Sequence, residues 1–143
     1  MKLYVNLFCR DIEAQLAFYS ALLGLPELAH ARSPIYRALA APGFQFGLHA
    51  PAAYGLLQLD GRSPQDEGVS PVTAYPTFML DQPADVSAGA ERAVTLGGAV
   101  LKPPYATYYG EWQTVLSDPE GHVFRLSCAA LPEGVQAAVL SLP

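Results

Sequence analysis

Arg125 stands in an alternating stretch, Val123-Phe124-Arg125-Leu126-Ser127, whose strongly apolar members are Phe124 and Leu126. Strand periodicity puts Val123, Arg125 and Ser127 on the other face, so a permanent positive charge sits where the packed apolar side is not. Such a group binds an anionic or strongly polar part of a ligand. It could equally pair with an internal acid such as Glu111 or carry its head group to solvent, because an inward charge must find a partner of some kind. His49, closing Phe44-Gln45-Phe46-Gly47-Leu48-His49, could act as a general base near neutral pH. With no partner acid in view, it also reads as a structural histidine. Tyr4 and Tyr75 hold matching places at the starts of two similar halves and could stack on a ligand, hydrogen-bond to it or fill space. Residues 103–112, which include Tyr105, Tyr108, Tyr109 and Trp112, read as an aromatic loop that clamps a ligand or buries a subunit contact. His30 and His122 fall in loop and turn segments and take no role. No nucleophile–base pair, phosphate-cradling glycine loop, HExxH or CxxC is present, so no catalytic residue is assigned.

The elements that must position these residues come in the same order twice. Residues 3–9 alternate as a strand, and Asp11 caps a helix over about 12–23 with Leu16, Tyr19 and Leu23 on one face and Gly24 ending it. Strands are expected at 27–31, 36–40 and 44–49. Residues 51–71 break the pattern with Pro, Gly, Asp and Ser, with one helical turn near 52–56. A strand at 77–80, a helix at about 85–96 and strands at 99–102, 111–117 and 122–127 then repeat the order. The chain therefore divides into module 1 (1–50), a linker (51–71), module 2 (72–128) and a partly apolar tail (129–143), as one duplicated domain. Alternation sends Val5, Leu7, Cys9, Phe46, Leu48, Phe78, Phe124 and Leu126 toward the helices. It sends Tyr4, Asn6, Phe8, Gln45, Gly47, His49, Tyr75, Thr77, Met79, Arg125 and Ser127 toward a cleft between the halves.

Composition narrows the classes. A chain of 143 residues with 51% hydrophobic content is long enough to bury a core and argues against disorder. No apolar run approaches the roughly 18 residues of a membrane span, and the N-terminus enters strand-like alternation without the pattern of a signal peptide, so a cytoplasmic location is expected. Cys9 and Cys128 read as free buried thiols. A formal charge of −5 with eight scattered Lys and Arg leaves no footprint for nucleic acid or an anionic membrane.

Asp11, Phe18-Tyr19 and Leu22-Leu23-Gly24 in the first half, with Leu96-Gly97-Gly98 and Asp118-Pro119-Glu120-Gly121 in the second, resemble the glyoxalase/bleomycin-resistance/extradiol-dioxygenase group, the vicinal oxygen chelate superfamily. The order and spacing of these motifs across about 125 residues carry the resemblance. It implies an α+β fold of two βαβββ modules whose strands curve into an open barrel around a cavity. Metal-using relatives draw one ligand, normally His, Gln or Glu, from each of four strands. Matched residue by residue, those positions here are Tyr4, Gly47, Tyr75 and Arg125. Glycine offers no ligand, neutral tyrosine is a poor one and arginine repels a cation, so no metal or other cofactor is expected. A one-residue slip of register brings in only worse candidates.

Two function classes follow from the resemblance. One is a metal-free small-molecule-binding protein of the bleomycin-resistance type, holding an anionic or aromatic ligand through Tyr4, Asn6, His49, Tyr75, Thr77, Trp112 and Arg125. The other is a glyoxalase-like lyase, isomerase or dioxygenase-type enzyme working through a non-standard site. Drug-binding relatives trap cationic compounds with carboxylates, and arginine in that place counts against a bleomycin-like ligand. The resemblance further implies a homodimer.

Overall fold

The computed structural model describes residues 1–66 and 68–142; Glu67 of the expected linker and Pro143 of the tail lie outside the described residues. The described residues form two compact units, Met1–Pro71 and Val72–Pro143.

In the first unit, strand β1 (Leu3–Phe8) leads into helix α1 (Ile12–Leu23). The Asp11 carboxylate accepts from the backbone N–H groups of Glu13 and Ala14, both at 3.0 Å, so two of the donors a helix start leaves orphaned are met. Gly24 ends the helix in the left-handed conformation (φ 66°) that costs glycine nothing. The buried face is Ile12, Gln15, Leu16, Phe18, Tyr19 and Leu22, so Leu22 rather than the expected Leu23 is its last large member. Tyr19 packs edge-on against Phe46 at 4.8 Å between ring centroids.

Strands β2 (Tyr36–Ala41) and β3 (Phe44–His49) complete a sheet in the order β1-β3-β2, with β1 parallel and β2 antiparallel to β3. The strand expected at 27–31 is reduced to one bridge, Glu27 to Leu39, after which residues Ala29–Ala31 turn into a short 3-10 helix. The Leu28 N–H still reaches Ala38 O at 2.8 Å, but Ala31 N–H turns back to Leu28 O and ends the pairing. Ions favour the turn: Arg32 Nε donates to Glu27 at 2.8 Å and Nη1 to Glu13 at 3.0 Å. Buried Arg37 also donates to Glu13, which ties β2 to α1. A single helical turn, α2 (Ala53–Leu56), follows.

In the second unit, β4 (Thr77–Met79), α3 (Pro83–Thr95), β5 (Ala99–Ala106), β6 (Trp112–Ser117) and β7 (Val123–Cys128) make a full βαβββ module with sheet order β4-β7-β6-β5. Helix α3 begins two residues earlier than expected because Pro83, lacking an N–H, suits the first helical turn. Gly89 brings the helix close to β7: a Cβ there would lie 2.5 Å from Leu126 Cδ1.

Strand β5 runs past the expected Lys102 to Ala106 and includes Pro103 and Pro104. It is an edge strand with two register irregularities, the setting in which proline can remain in a sheet. Between β6 and β7, the Asp118 carboxylate accepts from the Glu120 and His122 N–H groups, and its other oxygen lies 2.8 Å from His122 Nδ1. Gly121 supplies the positive φ of that turn. The tail touches its own unit where Ala138 N–H donates to Thr107 O at 3.1 Å. Among the described residues no helix is long and apolar enough to cross a membrane.

Candidate functional site

Register settles which side chains share a face. Phe124, Leu126 and Cys128 of β7 pair with Leu116, Thr114 and Trp112 of β6, and this is the face that α3 covers. The opposite face carries Arg125 and Ser127, with Thr77 and Met79 paired to them from β4 and Val115 and Gln113 from β6. The expected phase of Arg125, Thr77 and Met79 therefore holds in this unit.

Arg125 makes no ion pair with any described carboxylate. Its Nε donates to Thr77 Oγ1 at 2.9 Å, its Nη1 to the Tyr109 hydroxyl at 3.4 Å, and its guanidinium carbon lies 4.9 Å from the centre of the Tyr75 ring. Tyr109 in turn donates to Gln113 Oε1 at 2.8 Å, and Gln113 Nε2 donates to the Tyr105 hydroxyl. The donations run in one direction, from guanidinium to phenol to amide to phenol, so the buried Gln113 amide is satisfied and its orientation fixed. Lys102 lies over the Tyr105 ring at 3.6 Å. Glu111, the acid considered as a partner for Arg125, instead accepts from Ser127 Oγ at 2.6 Å. Tyr75, Tyr109 and Met79 remain about half exposed, at 47%, 47% and 53%.

Trp112, expected both at the end of the aromatic loop 103–112 and in the strand at 111–117, lies in the strand. It opens β6 opposite Cys128, which turns its side chain to the α3 face, where Nε1 donates to Ser87 Oγ at 3.1 Å. It does not join Arg125.

The first unit's sheet carries a second group of polar and aromatic side chains on the face away from α1. Gln45 Nε2 donates to the Tyr36 hydroxyl at 3.0 Å, which donates to Asn6 Oδ1 at 3.2 Å. A Cβ on Gly47 would collide with both Asn6 Oδ1 and the Tyr36 hydroxyl, so the space of the missing side chain is already filled. Phe8 stacks on Tyr54 at 3.9 Å and on His49 at 5.5 Å, and Tyr36 lies 4.8 Å from His49. Burial holds the His49 pKa below its ordinary value, and its buried Nδ1 bonds no described residue. The imidazole is therefore neutral near pH 7. Burial, with a smaller push from Cys9, raises the Tyr54 phenol. Tyr4 pairs with Gln45 on this face but is 54% exposed, with the Lys2 ammonium 5.3 Å from its ring centre.

Of the seven expected binding residues, Tyr75, Thr77 and Arg125 come together in one unit, while Asn6 and His49 flank Tyr36 in the other. The expectation omitted Tyr36, Tyr54 and Gln113. Only Gln113 left a signal, being an amide one position from Trp112 in a strand-like stretch.

The family model described as a glyoxalase-like domain matches residues 3–127. The chain belongs to the glyoxalase-like domain family. It is 38% identical to a glyoxalase/bleomycin resistance protein/dioxygenase family enzyme from Burkholderia phytofirmans PsJN, with a TM-score of 0.80 over 88% of this chain and 96% of that one. A glyoxalase-related enzyme from Fulvimarina pelagi, at 22% identity and TM-score 0.72, aligns over 100% and 99% of the two chains. A glyoxalase/bleomycin resistance protein from Albidiferax ferrireducens T118, at 20% identity and TM-score 0.67, aligns over 87% and 96%. These last two share the fold and carry no more than that. No curated protein matches the chain.

The metal held by some members of this superfamily does not fit these residues. Of the positions the resemblance matches to metal ligands, Gly47 in the first unit offers no donor and its space is filled by Tyr36 and Asn6, and Arg125 in the second unit is a cation. Among the described residues, no three of His, Cys, Asp and Glu come together as a metal-binding group.

Proposed function

We propose that this glyoxalase-like protein binds a small organic anion without a metal ion, on the open face of the second unit's sheet. The observation that carries this reading is Arg125 itself, a guanidinium oriented by Thr77 and Tyr109, backed by Tyr75 and given no carboxylate by the described residues. Oriented N–H groups not committed to a counter-ion suit a carboxylate or similar oxyanion, which arginine takes in a planar two-point contact. The half-exposed rings of Tyr75 and Tyr109 suit an aromatic or apolar body next to that anion.

The test is calorimetric titration with 3-phenylpropionate, and thermal melting in its presence. The wild type binds it and melts higher, since a ligand that binds only the native state stabilises by mass action. Arg125→Ala loses the response. Equal responses from the two proteins would refute the reading. Metal analysis of the purified protein adds a second arm: about one zinc, nickel, manganese or iron per chain, with a lower melting temperature after chelation, would replace it with a metal-dependent function.

A further inference from the structure

On the same face as Arg125 lies its opposite charge, and the two do not meet. Glu111 stands just before β6, and its Oε2 accepts from the hydroxyl of Ser127, two residues beyond Arg125 on β7. Neither Arg125 nor Glu111 forms an ion pair with any described residue. The reason is geometric: Arg125 turns its Nε toward Thr77 on β4, while Glu111 approaches β7 from the β6 side, and β7 lies between those two strands. Two residues along a strand separate the Arg125 and Ser127 positions by about 6.6 Å. A partly buried arginine and a partly buried glutamate are thus each held by neutral groups, on one face of one sheet, anchored at β7 positions two residues apart.

We infer that the ligand of this face is a zwitterion of the α-amino acid class, its carboxylate on Arg125 and its ammonium on Glu111. This rests on the anion reading above and adds the second charge. Each protein charge lacks a counter-ion that only the ligand supplies, and a charge left unpaired in a partly dry site is a cost the ligand relieves. An α-amino acid carries both charges on one carbon, which matches two protein charges anchored only two residues apart along one strand. The ligand's side chain then lies against the half-exposed Tyr75, Met79 and Tyr109, which favours an aromatic or long apolar one. A plain carboxylate would satisfy Arg125 and leave Glu111 as it is. A plain amine would be repelled by Arg125.

The experiment compares L-phenylalanine, 3-phenylpropionate and 2-phenylethylamine by calorimetry at low salt, on the wild type and on Glu111→Gln. The wild type is expected to bind phenylalanine at least tenfold more tightly than either single-charge compound. In Glu111→Gln that preference over 3-phenylpropionate disappears, while 3-phenylpropionate binds no more weakly than to the wild type, since a neighbouring negative charge has been removed. If 3-phenylpropionate matches phenylalanine on the wild type, or the preference survives Glu111→Gln, the zwitterion inference is overturned and the anion reading stands. Binding of 2-phenylethylamine as tight as that of phenylalanine, or no binding of any of the three, overturns both. Should Glu111→Gln fail to fold, the order of the three compounds on the wild type decides the question by itself.

Discussion

Arg125 donates its Nε–H to Thr77 Oγ1 at 2.9 Å across the parallel β4–β7 pair, so the side chain is oriented by a neutral hydroxyl rather than by an acid. Orientation without neutralisation is what separates a group waiting for a ligand from one fixed in the scaffold. Arg125→Ala is therefore expected to cost about 2–5 kcal/mol of affinity for a carboxylate ligand, the usual scale for truncating one partner of a desolvated charge pair. Folding stability should fall by about 1 kcal/mol or less, because two bonds to neutral acceptors are lost while an uncompensated charge is removed. Titration and urea melts of the same variant check both halves. A large loss of stability with unchanged binding would assign Arg125 to the scaffold.

Gly47 is required by its space and not by its backbone. A Cβ at that position meets Asn6 Oδ1 and the Tyr36 hydroxyl, which are already hydrogen-bonded to each other. Gly47→Ala must push Tyr36 off Asn6, and overpacking of this kind costs about 1–3 kcal/mol. Denaturant melts measure it, and a neutral result would mean that Tyr36 swings away without cost.

Strand phase was legible because Phe124 and Leu126 flank Arg125, and Val5 and Leu7 flank Asn6, in clean alternation. Alternation does not decide the face of Trp112. In Trp112-Gln113-Thr114-Val115-Leu116 apolar residues fall on both faces, as they do in a strand with neighbours on each side, so only the pairing with Cys128 reveals the α3 face. Extension of β5 through Pro103 and Pro104 was hidden for a different reason, since prolines argue against a strand unless the strand is known to be an edge. Nor could spacing disclose that Tyr109 reaches Arg125, a contact made by a turn residue 16 positions away.

Gln15 is 1% exposed on α1, and neither its amide oxygen nor its amide nitrogen bonds a described residue. Leaving a buried amide unsatisfied costs about 1–3 kcal/mol. Gln15→Met keeps the unbranched shape and removes the polar atoms, so it should raise stability by about 1 kcal/mol. Thermal melting checks this; a loss of stability would mean that Gln15 has a partner this structure does not contain.

A homodimer remains an expectation carried by the resemblance to dimeric relatives. Of the expected contact residues Tyr105, Tyr108, Tyr109 and Trp112, all but Tyr108 have side-chain hydrogen-bond partners within their own unit, and Tyr108 is 57% exposed. Exposed apolar surface lies also at Val100 and Leu101 on the β5 edge and at Val139, Leu140 and Leu142 in the tail. Sedimentation at tens of micromolar should give twice the chain mass, and a monomer at that concentration would remove the dimer.

His49 gives the protein a pH dependence of determined sign. Burial lowers its pKa in the folded state below the value near 6.5 that it has when unfolded. Between the two values the unfolded chain binds more protons, so stability rises with pH across that interval and is flat, for this group, above about pH 6.5. The loss therefore begins as pH falls below about 6.5 and ends at the depressed folded value. Glu13 acts lower on the scale: hydrogen bonding by Arg37, the largest cause, holds its carboxyl below 4.5, so its contribution is lost only on further acidification. The two windows open at different pH, near 6.5 for His49 and near 4.5 for Glu13. His49→Phe keeps a ring for the contacts with Phe8 and Tyr36 but cannot titrate. Melting temperatures of wild type and His49→Phe should run parallel above pH 6.5, with the wild type dropping faster below it. Parallel curves through that range would show that the imidazole protonates as freely in the folded protein as in the unfolded chain.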